Sequence, residues 1–315
     1  MRQPTVVTTP GLPGRVRIVE VGPRDGLQNE SSVLGVQIKA EFVRRLLDAG
    51  LPTVETTSFV HPRWVPQLAD AEELLALLAS DDGPMSEAGG RVDDLPVLVP
   101  NLKGLERAEA AGVRHVAVFA SATETFAQRN LNASYEEQFA MFEPVVSRAA
   151  NAGMRVRGYL SMCFGDPWEG AVPVEDVTRA ARRLLDLGVD EISLGDTIGV
   201  GTPGHVRALL TELGSTGVDL DRVAVHFHDT YGQALANAYA ALEEGVTIFD
   251  ASAGGLGGCP YAESATGNLA TEDLVWMLHG LGIATGVDLP ALAGTSRWMA
   301  EQLGRPSPSR VVAAV

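Results

Sequence analysis

Cysteine is nearly absent: the 315 residues hold two, Cys163 and Cys259. Two thiols cannot staple a secreted scaffold, so a reducing cytoplasm is the expected setting. Lysine is equally scarce, with Lys39 and Lys103 alone, and 24 basic residues stand against 40 acidic ones for a formal net charge of -16. No Lys/Arg-rich block occurs, which argues against nucleic acid or an anionic membrane as a partner. Any anionic ligand must be held by local positive groups. No run approaches the ~20 apolar residues of a membrane span. The opening "MRQPTVVTTPGLPGRVR" has no apolar stretch of signal-peptide length, so a soluble, unexported protein is expected. The excess of Arg over Lys, with abundant Ala and Gly, suggests a GC-rich bacterial genome.

What is present is alternation. Short apolar or β-branched runs recur at 16–23, 53–59, 95–101, 115–121, 155–162, 191–197, 223–229 and 247–255, eight in all. Longer amphipathic stretches such as 36–49, 67–79, 134–151, 174–187, 203–213, 232–244 and 271–281 lie between them. Gly50, Gly112, Gly153, Gly188 and Gly245 sit where helix C-caps belong. Eight β/α units in roughly 250 residues is the length of a closed (β/α)8 TIM barrel. A doubly wound sheet would carry a glycine-rich fingerprint after its first strand, which is missing. The expected organisation is an N-terminal extension over 1–15, a barrel over 16–288 and a C-terminal helical segment over 289–315. The polar, acidic stretch 80–94 reads as a solvent-exposed insertion.

A barrel of this kind builds its site at the C-terminal ends of the strands. There the sequence places Arg24 and Asp25 after strand one, Glu55 in strand two, Asp196 and Thr197 after strand six, His226, His228 and Asp229 in strand seven, and Cys259 and Asn268 after strand eight. In "VHFHD" the period of two puts His226 and His228 on one face and Phe227 on the other. Two metal ligands and two buried histidines bonded to the backbone fit that spacing equally well. Asp25, His226, His228 and Asn268 together make a mixed nitrogen and oxygen set without thiolate, which suits a catalytic Mg²⁺ or Mn²⁺ better than a structural Zn²⁺.

The blocks "VEVGPRDGLQNE", "VETTSFVHPRWVPQLAD", "VPNLKG", "EISLGDTIGVGTPG", "VHFHDTYGQALAN" and "GGLGGCPYAESATGNLATEDLVWMLHGLGI" resemble the 3-hydroxy-3-methylglutaryl-CoA lyase family, metal-dependent TIM-barrel lyases, in collinear order from about residue 16 to 288. The resemblance implies retro-Claisen cleavage of 3-hydroxy-3-methylglutaryl-CoA to acetoacetate and acetyl-CoA, as used in leucine catabolism and ketone-body formation. It implies Asp25, His226, His228 and Asn268 as ligands of a divalent metal. Arg24 would stand beside the thioester carbonyl, Glu55 would orient Arg24, and Asp25 or His226 would take the hydroxyl proton. Cys259 would return a proton to the enolate, with Asp196 and Thr197 as substrate-binding residues. A homodimer is implied as well.

One block departs from the family. "SMCFGDPWEG" stands where "SCALGCPYEG" is usual, so Met162 and Asp166 occupy cysteine positions and Cys163 has moved by one. That leaves room for a lyase acting on a longer 3-hydroxyacyl-CoA; a Claisen synthase or aldolase of the same superfamily, or a non-catalytic acyl-CoA-binding barrel, are further alternatives. Arg63, Lys103 and Arg129 are candidate partners for the CoA phosphates, each with an ordinary reading as a solvated surface charge.

Overall fold

The computed structural model describes residues 3–80, 95–258 and 267–315; the stretch read as an insertion, from 81 onward, and Cys259 lie outside them. The strands are β1 (Arg17–Glu20), β2 (Thr53–Val54), β3 (Thr57–Ser58), β4 (Val97–Leu98), β5 (His115–Ser121), β6 (Arg155–Ser161), β7 (Glu191–Asp196), β8 (Val223–Phe227) and β9 (Ile248–Ala251). They form one sheet in the order β2-β1-β9-β8-β7-β6-β5-β4-β3, every pairing parallel.

The first and last strands of that order are two halves of one run. Residues 53–59 were read as a single strand, and the chain breaks it at Glu55 and Thr56, whose N–H groups bond in opposite directions to Glu20 O at 2.8 Å and Pro96 O at 3.0 Å. The sheet thereby closes, and the fold is the expected (β/α)8 barrel. β4 is shorter than 95–101 suggested because Pro96 and Pro100 flank it and have no N–H to give a ladder.

The helices include α1 (Val36–Asp48), α2 (Ala71–Ala79), α3 (Leu102–Ala110), α4 (Glu124–Leu131), α5 (Tyr135–Asn151), α6 (Val174–Leu187), α7 (Pro203–Ser215), α8 (Ala234–Glu243) and α9 (Thr271–Gly280). α3 and α4 are additional to the amphipathic stretches named from period, α3 being marked in the sequence only by its C-terminal Gly112; Asn101 caps it by accepting from Gly104 N. All five glycines read as C-caps have positive φ, from 68° at Gly153 to 103° at Gly188. The C-terminal segment folds as α10 (Leu289–Leu303), packed on α1 with Arg45 over the Trp298 ring, and α11 (Arg310–Ala314).

Strands covered on both faces need apolar residues on both, which is why the runs read so cleanly. Ile18, Val54, Val97, Val116, Val156, Ile192 and Val225 are all buried in the main core between sheet and helices. Apart from that core, Val19, Val21, Ala224 and Ile248 form one small cluster and Leu98, Ala117 and Tyr159 another, and the same strands bury Glu20, Arg157, Ser193, His226 and Asp250.

Candidate active site

The chain leaves β1 through a single π turn, Gly22–Gly26, in which Val21 O accepts from Asp25 N at 2.7 Å and Gly26 N at 3.1 Å. π turns are rare and recur at functional sites. This one points Arg24 and Asp25 into the barrel mouth. Gly26 permits the turn to lie against the turn after β9, since a Cβ there would stand 2.8 Å from Leu256 Cβ.

Arg24 is the hub. Its Nε donates to Glu55 Oε2 and its Nη1 to Asp25 Oδ1, both at 2.7 Å, and its guanidinium lies 5.2 Å from the Tyr159 ring centre. Burial opposes the charge, but Glu55 and Asp25 outweigh it and raise the Arg24 pKa above its ordinary value. Glu55 is fully buried and also accepts from Tyr159 OH at 3.0 Å. Burial pushes its pKa up, with Arg24 and Arg157 pulling the other way.

Across the mouth, His226 and His228 share the inner face of β8 and its extension, while Phe227 packs outward against Phe164 at 6.0 Å between ring centres. Register puts His226 beside Asp250 of β9. Asp250 Oδ1 accepts from Arg157 Nη2 at 2.6 Å and Oδ2 from Ser193 Oγ at 2.7 Å, and its pKa is lowered to about 2; burial works against the charge, and Arg157 and His226 overcome it. His226 Nδ1 therefore donates to Asp250 Oδ2, 3.2 Å away, which leaves the Nε2 lone pair aimed into the mouth. It faces His228 Nε2 at 3.2 Å and Asp25 Oδ2 at 3.8 Å. Burial, then His226, depresses the His228 pKa to about 4, so that ring is neutral. Burial also disfavours the Asp25 carboxylate, but Arg24 and then the two imidazoles hold its pKa well below the ordinary range.

Asn268 joins the set because the segment after the glycine-rich turn runs back beside β8, with an isolated antiparallel bridge pairing it to His228. Its Nδ2 donates to Asp25 Oδ2 at 2.8 Å and Leu256 O at 3.1 Å, and Oδ1 is buried without a partner. Gly257, at φ 110°, makes room: a Cβ there would stand 2.8 Å from Asn268 Nδ2.

This donor set fits a divalent cation. Ligand atoms of Asp25, His226 and His228 lie within 4.8 Å of one another, the carboxylate is ionised, and two imidazole nitrogens face each other with at most one proton to share. Asn268, whose Nδ2 already touches Asp25, offers its unpartnered Oδ1 as a fourth donor. Of the two readings left open by "VHFHD", the ligand pair is the one that this packing supports.

The site opens into a cavity of about 680 Å³ lined by Arg24, Asp25, Leu98, Phe119, Tyr159, Thr197, His226 and His228 among others. Thr197 lines it, its Oγ1 accepting from Met162 N at 2.9 Å. Asp196 does not: its carboxylate accepts from Val200 N and Gly201 N, both at 3.0 Å, and serves the β7–α7 loop. Burial raises its pKa to about 6. Met162, Cys163 and Asp166, the positions that depart from the family, are also outside the lining. Cys163 is buried in the core, its thiol bonded to Leu160 O at 3.1 Å and its pKa pushed up by burial.

Sequence reasoning missed Arg157, Tyr159, Ser193 and Asp250, which orient the outer atoms of the site. A signal was there: Arg157 and Tyr159 alternate in "RVRGYLS", and Asp250 interrupts "TIFDA", both at inward positions of otherwise apolar strands. It also missed Glu20, fully buried, whose Oε1 accepts from Gly22 N and Ala253 N, each at 2.8 Å, and whose Oε2 accepts from Thr271 Oγ1 at 2.6 Å. One carboxylate thus ties together the segments that carry Arg24, the glycine turn and Asn268.

The family model HMGL-like matches residues 15–299. The mitochondrial hydroxymethylglutaryl-CoA lyase of Homo sapiens is 48% identical over 303 residues, covering 96% of this chain and 90% of that protein. The mitochondrial enzyme of Arabidopsis thaliana is also 48% identical, and there the chain spans 63% of the relative's length. Among solved structures, hydroxymethylglutaryl-CoA lyase from Pseudomonas aeruginosa superposes with a TM-score of 0.91 at 48% identity, over 96% of this chain and 98% of that one. An Acinetobacter baumannii HMG-CoA lyase in complex with coenzyme A and 3-methylmalate gives 0.87 at 34%, over 98% and 97%. With the barrel and the polar rim already in place, these matches establish that the chain belongs to the HMGL-like family.

Proposed function

We propose that this protein cleaves 3-hydroxy-3-methylglutaryl-CoA to acetoacetate and acetyl-CoA with a divalent metal, Mg²⁺ or Mn²⁺, held by Asp25, His226, His228 and Asn268. The observation that carries the reading is the convergence on one cavity of Arg24, held by Glu55, with Asp25, His226 and His228, and Asn268 hydrogen-bonded to Asp25 beside them. When bound, the ion supplies Lewis-acid polarisation of the substrate's hydroxyl and carboxylate oxygens.

The chain's own residues account for the rest. Arg24, permanently charged and fixed by Glu55, stabilises the negative charge that develops on the thioester oxygen as the C2–C3 bond breaks. Asp25 or His226 takes the C3 hydroxyl proton. The His226–Asp250 hydrogen bond leaves Nε2 as the ring's one lone pair, so His226 serves as the base only while that nitrogen is off the ion. Tyr159 buttresses Arg24 through Glu55, and Thr197 lines the path of the substrate. Cys259, outside the described residues, is assigned the return of a proton to the acetyl-CoA enolate. Asp196 is assigned to holding its loop, not to the substrate. We further assign the barrel to 16–288 and the flanking segments to 1–15 and 289–315, and place the protein in the cytoplasm as a homodimer. Among the described residues no helix is long and apolar enough to cross a membrane.

The altered block at 161–170 keeps Met162 and Asp166 off the cavity, which supports the ordinary acyl group over a longer one. Product analysis tests this: equal amounts of acetoacetate and acetyl-CoA from the methyl substrate are expected, with at least about ten-fold lower kcat/KM for a homologue carrying a longer C3 chain. The reverse preference would overturn the assignment.

A further inference from the structure

We propose that Arg129, stacked on Trp168 at the edge of the cavity, is the cation that receives a phosphate of the substrate's CoA moiety, with Asp166 as the residue that positions the stack. The inference rests on the acyl-CoA reading and concerns a part of the substrate remote from the reacting bond.

The three candidate cations separate in the structure. Arg129 lines the cavity; Lys103 and Arg63 do not, although their neighbours Asn101 and Trp64 do. Among the described lining residues, Arg24 and Arg129 are the two guanidinium groups, and Arg24 is committed to Glu55 and Asp25. Arg129 is exposed, and among the described residues no carboxylate pairs with it. In a chain of net charge -16, an arginine at a cavity edge without an acidic partner is available to an anionic ligand.

Its position is set by a rigid support. The guanidinium carbon lies 4.3 Å from the Trp168 ring centre, and Trp168 leans on Phe126 at 6.5 Å. A planar guanidinium resting on an indole face keeps its N–H edge free for bidentate contact with phosphate. Trp168 is held in turn by Asp166, which is 3% exposed. Asp166 Oδ1 accepts from the backbone N–H of Trp168 at 2.7 Å and of Glu169 at 2.9 Å, and Oδ2 accepts from Thr123 Oγ1 at 2.7 Å. Asp166 and Gly170 also exchange both backbone hydrogen bonds, at 2.9 and 2.8 Å. Glu169 Oε1 then accepts from Thr125 N at 2.6 Å, fastening the loop to the first turn of α4, the helix that carries Arg129. The departure "SMCFGDPWEG" is thereby explained as a support for the cavity edge, separate from the acyl chamber.

The test compares two thioesters of the same acid, one of CoA and one of pantetheine, which has no phosphate. For Arg129→Gln, KM for the CoA thioester is expected to rise about five- to ten-fold with kcat within about two-fold, while kcat/KM for the pantetheine thioester matches that of the wild type. Trp168→Leu and Asp166→Asn are expected to move KM in the same direction by less. An unchanged KM, or an equal rise for both thioesters, would overturn the proposal. Direct calorimetry with CoA and with pantetheine separates this from the reaction itself: if the wild type cleaves neither thioester yet Arg129→Gln binds CoA more weakly than it does, the phosphate site stands and the lyase reading is rejected. Equal CoA affinity in the two proteins would reject the site.

Discussion

Replacing Arg24 by Gln removes the group that faces the developing enolate, and turnover is expected to fall by several orders of magnitude, read as kcat at saturating substrate. The structure adds a cost in stability that the sequence did not reveal. Glu55 is fully buried and loses its principal counterweight, so the variant is expected to be less stable by about 1–3 kcal/mol and to take up a proton at Glu55. Denaturant titration at two pH values checks this; a variant as stable as the wild type would show that the Arg24–Glu55 pair contributes nothing to folding. Asp250→Asn tests the outer support. It disturbs the acceptor for His226 Nδ1 and the partner of Arg157, and Mn²⁺ affinity by calorimetry is expected to fall about 10- to 100-fold. Unaltered affinity would mean that the His226 ring is held by packing alone.

At the scale of elements, the turn after β9 is the most exacting piece. Gly257→Ala forces a side chain onto φ 110° and against the Asn268 amide, so metal affinity is expected to drop about ten-fold or more while the far-UV spectrum is retained. Full affinity would remove Asn268 from the ligand set. The same region carries two buried carboxylates, Glu20 and Glu272, whose pKa values burial raises to about 7 and about 8 against an ordinary 4.5. Both groups keep protons in the folded state that the unfolded chain has released. Their contribution is full below about pH 4.5 and is lost as pH rises through 7 and 8, on the order of a few kcal/mol together. Melting temperature is therefore expected to decline between about pH 5 and 8 and to do so less in Glu20→Gln. An identical slope in that variant would show that Glu20 is ionised throughout.

For the whole molecule, the barrel was legible because parallel strands buried on both faces spell apolar runs, and the pairing of His226 with His228 at the mouth because the two share strand parity. Closure was expected, but the break in the second strand that effects it was not legible: it depends on Glu55 and Thr56 bonding to opposite neighbours, a non-local fact. Nor were Arg157, Tyr159 and Asp250 recognised, since a polar residue in a strand reads alike whether it faces the barrel interior or a helix. Asp196 misled for the converse reason, as its side chain satisfies its own loop. The central claim is metal-dependent cleavage. It is tested most directly by incubating metal-stripped protein with 3-hydroxy-3-methylglutaryl-CoA, with and without Mg²⁺ or Mn²⁺, and measuring acetoacetate and acetyl-CoA. Release of both products in equal amounts only when the ion is restored is the expected result; equal release without it, or none in protein that has bound it, would contradict the account.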